Sequence, residues 1–472
     1  MKTIFVKLSA FAARIVIVSF ALSAAPAFAQ EVVGDWAGLL AGQLHIIVHI
    51  TKSADGHYGG SLESPDQGAF VLPAENVEAT PTHLAFSIPK LSGSYDGTWD
   101  DNTRSWTGTW KQGQSIPFNL TRLSAQALGG LKPKRPQEDA IPAAPLPYHQ
   151  HDVTFGNPSA RVTLAGTFTV PNGTGPFPSV VLICGSGPHT RDEDVSGHRI
   201  FLVLADALNR RGIAVLRYDK RGVGDSTGDF ATATSIDFAS DADAAVAFLN
   251  TRPEVDKASI GLIGHSEGGA IAPSIAIRNP SVAFTVLMAG PAMRTDRLTV
   301  LQESLIAKAQ GASDDAIAKH KAFSEKLYAG LIAAKTDDEA RSIARSSVAQ
   351  AVADNLLPAD AAEATVQQVT SPWLRQALSY DPVSTLRKLK TPTLVLYGSL
   401  DLQVPSNENL ALMRTALKDN KTAAFIELPN LNHMFQTAKT GSPAEYAQIE
   451  ETMSPSALKS IVDWVVAFNS TP

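Results

Sequence analysis

The stretch Ser259-Ile260-Gly261-Leu262-Ile263-Gly264-His265-Ser266-Glu267-Gly268-Gly269-Ala270 carries the pattern G-x-S-x-G from Gly264 to Gly268. Five residues alone would recur by chance. Here an apolar run ends at Ile263, and small residues in a helical pattern begin at Gly268. A strand that turns sharply into a helix lifts the central side chain above the sheet, and flanking glycines let the two backbones pass without collision. The reading predicts a raised hydroxyl at Ser266, at the carboxyl end of a strand.

The sequence on either side of this turn repeats the same alternation. Short apolar strands are expected at 179–184, 213–217, 259–263, 283–289, 393–397 and 423–428, with helices at 200–211, 236–250, 270–278 and 456–468. Near-continuous apolar strands separated by helices imply a doubly wound, mostly parallel α/β sheet covered on both faces, over residues 151–472. Residues from about 291 to 385 break the rhythm. They are rich in Ala, Lys, Glu and Gln and helical throughout, which predicts a helical lid inserted late in the sheet.

Upstream, residues 30–125 alternate with period two, as in Leu44, Ile46, Val48 and Ile50, and Asp101-Asn102 marks a hairpin. A small all-β domain is expected there. Four of the six tryptophans, Trp36, Trp99, Trp106 and Trp110, fall in it and are expected to form its core rather than line a groove. His45, His49 and His57 are better explained as solvated strand residues than as metal ligands. Residues 126–150 read as a Pro-rich linker (Pro133, Pro136, Pro142, Pro145, Pro147), kept wet by Lys132, Lys134, Arg135, Glu138 and Asp139. Residues 1–29 read as a secretory signal: Lys2 and Lys7, an apolar stretch from Ile15 to Leu22, and an Ala27-Phe28-Ala29 cleavage site. Arg14 leaves that stretch too short to span ~30 Å of hydrocarbon. An exported protein, periplasmic or extracellular, with no stable membrane insertion after cleavage is the expectation.

Composition excludes several classes. The 472 residues are 44% hydrophobic and 18% charged, enough to bury a sizeable core. The net charge is −6, with no basic cluster, which argues against a nucleic-acid partner. One cysteine, Cys184, excludes an internal disulfide or a thiolate-clustered metal site, and its place at a strand end suits a small buried hydrophobe.

A serine hydroxyl needs a base, and the base an orienting carboxylate; behind a nucleophile elbow they follow in the order Ser, acid, His. Asp401 follows the strand at 393–397, and His433 follows the strand at 423–428. Both fall on loops at carboxyl strand ends, where sheets of this kind place their sites. Two backbone N–H groups must also face the developing oxyanion. One belongs to Glu267, next after Ser266; the other is expected from Gly185-Ser186-Gly187-Pro188, with Ser186 favoured over Gly187.

These motifs, with Arg191-Asp192 and Arg217-Tyr218-Asp219-Lys220-Arg221-Gly222-Val223-Gly224-Asp225-Ser226, resemble the α/β-hydrolase superfamily, in its secreted carboxylesterase and serine-aminopeptidase-like branch. The resemblance implies that Asp219, Arg221 and Asp225 are ion-pair and turn residues, and it departs from lipase-like relatives in having Gly-Ser-Gly-Pro as the oxyanion loop. The expected activity is cleavage of a small-molecule carboxylic ester through an acyl-enzyme, without metal or organic cofactor. The alternatives are an aminopeptidase-like amide hydrolase, in which Glu267 and lid acids would hold a substrate ammonium, and a non-catalytic binding protein. Contact with glycan or cell wall through the N-terminal domain is a further expectation.

Overall fold

The computed structural model describes residues 31–470 apart from 42, 43, 66, 67, 125, 126, 129, 131–133 and 142–144. The signal assigned to residues 1–29, with Pro133 and Pro142 of the linker, lies outside the described residues. The chain forms two compact units, taken here in turn.

The first is a closed barrel of eight strands, β1 (Gly34–Leu40), β2 (Leu44–Lys52), β3 (Tyr58–Ser64), β4 (Gly68–Ala79), β5 (His83–Ile88), β6 (Gly93–Asp100), β7 (Ser105–Gln112) and β8 (Gln114–Arg122). Each strand neighbours the next, and β8 returns to β1, with Trp36 opposite Arg122. Along β6 the buried positions are Gly93, Tyr95 and Gly97, while Asp96 and Thr98 face solvent. A Cβ at Gly97 or Gly108 would run into the Tyr95 ring, so the missing side chains are what make room for it. Trp36, Trp99 and Trp106 pack edge to face, with centroids 5.2–5.9 Å apart. Trp36, Trp106 and Trp110 are thus buried in the interior, as expected, while Trp99 is half-buried. His49 is held on Asp35 at 2.7 Å, and no group of three or more potential ligands gathers around a metal-sized space among the described residues.

The second unit begins before the sheet. The expectation of a wet linker over 126–150 is corrected here: Pro136–Ala140 forms a short helix (α1), and Arg135 and Glu138 are buried. Arg135 donates to the carbonyls of Ala447, Ile449 and Gly197, while Glu138 accepts from Arg199 and Thr452. These partners lie more than 55 residues away in sequence, so composition alone reads the segment as solvated. The hairpin β9 (Tyr148–Asn157) and β10 (Val162–Pro171) follows and lies antiparallel at one edge of the sheet.

The remaining strands are β11 (Phe177–Ile183), a two-residue pair β12 (Asp194–Val195) and β13 (His198–Arg199) apart from the main sheet, β14 (Ala214–Tyr218), β15 (Val255–His265), β16 (Val282–Met288), β17 (Thr393–Gly398) and β18 (Ala423–Leu428). The main sheet runs β18-β17-β16-β15-β11-β14-β10-β9, and its pairings from β18 to β14 are parallel. Helices α2 (Ile200–Asn209), α3 (Ser235–Thr251) and α4 (Glu267–Ala276) pack on it. Apolar residues at helical spacing on α2, including Phe201, Leu204, Ala205 and Leu208, are buried in the same core as the strand interiors.

Between β16 and β17 stand the helices α5 (Thr295–Ala309), α6 (Asp314–Ala333), α7 (Asp337–Ala353), α8 (Ala362–Val369), α9 (Pro372–Ser379) and α10 (Pro382–Leu386). They bury a core of their own around Leu327, Leu331, Ala344 and Val348. Ser313 and Thr336 cap α6 and α7 by accepting from the third backbone N–H beyond each. Helices α11 (Ser406–Ala416) and α12 (Pro455–Ser470) complete the chain. Among the described residues no helix is long and apolar enough to cross a membrane.

Candidate active site

Strand β15 ends at His265 and α4 begins at Glu267, so Ser266 must make the whole turn alone. It does so at φ 51°, ψ −116°, a left-handed φ uncommon for a residue with a side chain. Its N–H donates to Met288 O at 2.8 Å, anchoring the turn to β16. A Cβ on Gly264 would strike the Gly268 carbonyl, and one on Gly268 would strike Ile183 O; the strand, the turn and β11 close to this distance only because both are glycine. Ser266 Oγ has no hydrogen-bond partner among the described residues and faces a cavity of about 1020 Å³.

Asp401 and His433 meet on neighbouring loops at the carboxyl ends of β17 and β18. His433 Nδ1 lies 2.8 Å from Asp401 Oδ2, and both residues are buried. The N–H groups of Gln403 and Val404, each 2.8 Å away, donate to the other carboxylate oxygen, so Asp401 is held from two sides. In the His433 loop, Asn432 Oδ1 accepts the N–H groups of Met434 and Gln436. With Nδ1–H donated to Asp401, His433 Nε2 keeps its lone pair, the form a general base requires. Ser186 and Glu267 line the cavity together with Ser266. Glu267 is the first residue of α4, where backbone N–H groups have no partner within the helix.

Beneath these residues runs a set of buried charges. His265 Nε2 lies 2.9 Å from the carbonyl of His433, and its Nδ1 lies 3.0 Å from Glu193 Oε1. Both neighbours are acceptors, a setting that favours the doubly protonated imidazole. Burial disfavours that charge, but Glu193 reverses the balance and holds the imidazole above its ordinary pKa of 6.5. Burial likewise opposes the Glu193 charge, yet His265 and the Gly185 N–H, 2.5 Å from Oε1, keep the carboxyl below its ordinary 4.5. On the other side, Lys220 Nζ donates to Gly185 O at 2.7 Å and to Glu267 Oε2 at 3.1 Å. Glu267 Oε1 also accepts from Ser235 at 2.5 Å and from the Trp373 indole at 2.6 Å. Farther out, Arg191 holds Asp219 and Asp225, and Arg221 holds Asp241 and Asp237, as the motif reading expects. Cys184 is buried, and burial pushes its thiol well above the ordinary value, consistent with a hydrophobe rather than a nucleophile.

The cavity lies under the lid. Its wall on α3 and α4 is mostly of small or apolar side chains, among them Ala239, Ala244, Ala247, Ala270 and Ile271, and α5 and α9 contribute Leu298 and Trp373. Two carboxylates line it, Asp243 and Glu267. Asp243 is paired with Arg278 and accepts from Asn279, and Glu267 is paired with Lys220.

Residues 196–437, half of the chain, match the family described as serine aminopeptidase, S33. The chain belongs to this family of α/β hydrolases. It is also 26% identical to the esterase EstD of Thermotoga maritima over 323 residues, 68% of each chain. Among solved structures, an esterase of Pyrococcus furiosus aligns with TM-score 0.41 and 16% identity, covering 68% of this chain and 90% of that one. Est1E of Butyrivibrio proteoclasticus, solved with ferulic acid, aligns with TM-score 0.40 and 15% identity, over 67% and 97%.

For this S33-family hydrolase, the sequence places Ser266, Asp401, His433, Glu267 and Ser186 in one neighbourhood, and the structure brings Asp401 onto His433 and the other three to one cavity. Glu193 and Lys220 escape sequence reasoning. Lys220 stands inside a quoted motif but carries no spacing signal, and Glu193 is one acid beside Asp192 and Asp194.

Proposed function

We propose that the chain is an exported serine hydrolase of carboxylic esters. Ser266 Oγ attacks the ester carbonyl carbon as His433 Nε2 takes its proton, while Asp401 holds the imidazole and balances the charge it gains. The N–H groups of Glu267 and Ser186 receive the oxyanion. Collapse of the tetrahedral intermediate breaks the carbon–oxygen bond to the alcohol, which leaves with the proton from His433. Water, deprotonated in turn by His433, then adds to the acyl-enzyme, and the acid departs as Ser266 regains its hydrogen.

The observation that favours esters over peptides is the state of the two carboxylates lining the cavity. An aminopeptidase must hold a substrate ammonium, and both carboxylates already hold cations of this chain, Arg278 and Lys220. The mostly small or apolar wall along α3 and α4 suits an apolar acyl or alcohol group.

A chromogenic ester series beside matched aminoacyl anilides, with Ser266→Ala in parallel, tests this reading. Turnover of esters but not anilides, lost on the substitution, is expected. Faster cleavage of anilides would transfer the same machinery to amide bonds. Retention by the barrel in glycan pull-downs would add a binding role to that unit, and no retention would remove it.

A further inference from the structure

We propose that Lys220 is a positioning residue of the oxyanion hole, an inference that rests on the serine-hydrolase reading above. The carbonyl of Gly185 and the N–H of Ser186 belong to one planar peptide group, so fixing the direction of the C=O fixes the opposite direction of the N–H. Lys220 Nζ grips that carbonyl at 2.7 Å. The same ammonium reaches the side chain of Glu267 at 3.1 Å, and the backbone N–H of Glu267 is the other candidate donor. One buried cation therefore spans both donor-bearing segments, the β11 loop and the start of α4.

Its surroundings leave Lys220 little freedom. Lys220 is buried, its Nζ sits 4.1 Å from the centroid of the Phe238 ring, and Gly185 is held from its other side by Glu193. A positive donor on the Gly185 carbonyl also polarises the peptide, which strengthens the Ser186 N–H as a donor to a developing oxyanion. A competing role is charge balance alone, with Lys220 present to neutralise Glu267. The two roles differ in what restores activity.

The test uses full-length Lys220→Met and the double variant Lys220→Met/Glu267→Gln. The single change leaves Glu267 buried without its cation and risks misfolding; the double change removes both charges and keeps the question answerable. Three quantities are read with a chromogenic ester: kcat, KM, and the inhibition constant of a trifluoromethyl ketone, whose Ser266 adduct places an alkoxide in the hole. Positioning predicts that the double variant, folded by circular dichroism, loses roughly tenfold in kcat, less than the ~10²–10³ for removal of a direct donor. Ketone affinity should fall by the same factor, with KM within about twofold of wild type. Recovery of wild-type kcat in the double variant would overturn the proposal in favour of charge balance, as would a fall in kcat with ketone affinity unchanged. If the wild-type protein neither cleaves esters nor takes a fluorophosphonate on Ser266, the hydrolase reading itself fails and takes this proposal with it.

Discussion

The barrel closes around Trp36, Tyr95, Trp106 and Trp110, whereas the α/β unit buries the charged or titratable Glu193, Lys220, His265, Glu267 and Asp401. The physical costs of the two differ. Aromatic rings gain by leaving water, and edge-to-face packing adds to that gain. Charged pairs lose hydration on burial and recover about as much as they lose, so a fold that needed only stability would put apolar groups there. Paired charges gathered around one raised serine mark where the chain holds backbone and side chains in fixed directions for chemistry. The barrel's burial is apolar; the burial around Ser266 is largely of paired charges.

Three variants sharpen or break this contrast. The largest effect is expected from Asp401→Asn. With its orienting carboxylate gone, His433 loses the tautomer a base requires, and kcat should fall on the order of 10⁴-fold with circular dichroism unchanged. A loss below tenfold would remove Asp401 from the machinery. Trp36→Ala comes next, opening a cavity in the barrel at a cost of about 3–5 kcal/mol, read as a lowered denaturant midpoint of the tryptophan signal. All the named site residues lie in the other unit, so kcat/KM should hold within about twofold. A parallel collapse of activity would blur the division drawn here.

The third is Glu193→Gln, which leaves His265 without its counter-charge. The His265 pKa is raised, so its contribution to stability is present below the ordinary 6.5 and is lost as pH rises through the raised folded value. The Glu193 pKa is lowered, so its contribution is present above the ordinary 4.5 and is lost as pH falls through the lowered value. The wild-type melting temperature should therefore be flattest between the two ordinary values, 4.5 and 6.5, and fall on either side. The variant should lose up to about 3–5 kcal/mol at neutral pH. A pH–stability profile identical in the two proteins would mean that the pair is not ionised.

What the sequence reveals follows from how local the cause is. The turn at Ser266 is written within six residues, because glycines and an apolar strand must adjoin it; Asp401 and His433 are legible because each follows a strand in a fixed order. The lid is legible as an interruption of rhythm. Barrel closure is not, since alternation predicts strands but β1 meets β8 across more than 80 residues. Arg135 and Glu138 look like linker charges until residues 199, 447 and 452 are brought to them. Lys220 and Glu193 are single residues whose partners stand 47 and 72 positions away. Only the folded chain shows that both reach the backbone of Gly185.

Ester cleavage as described depends on Ser266 as the nucleophile. The most direct test is to treat the folded protein with a fluorophosphonate and locate the modified residue by mass spectrometry while following ester turnover. One adduct per chain is expected, on Ser266, formed in step with the loss of turnover. Full labelling at another residue, or turnover that persists with Ser266 fully modified, would contradict it.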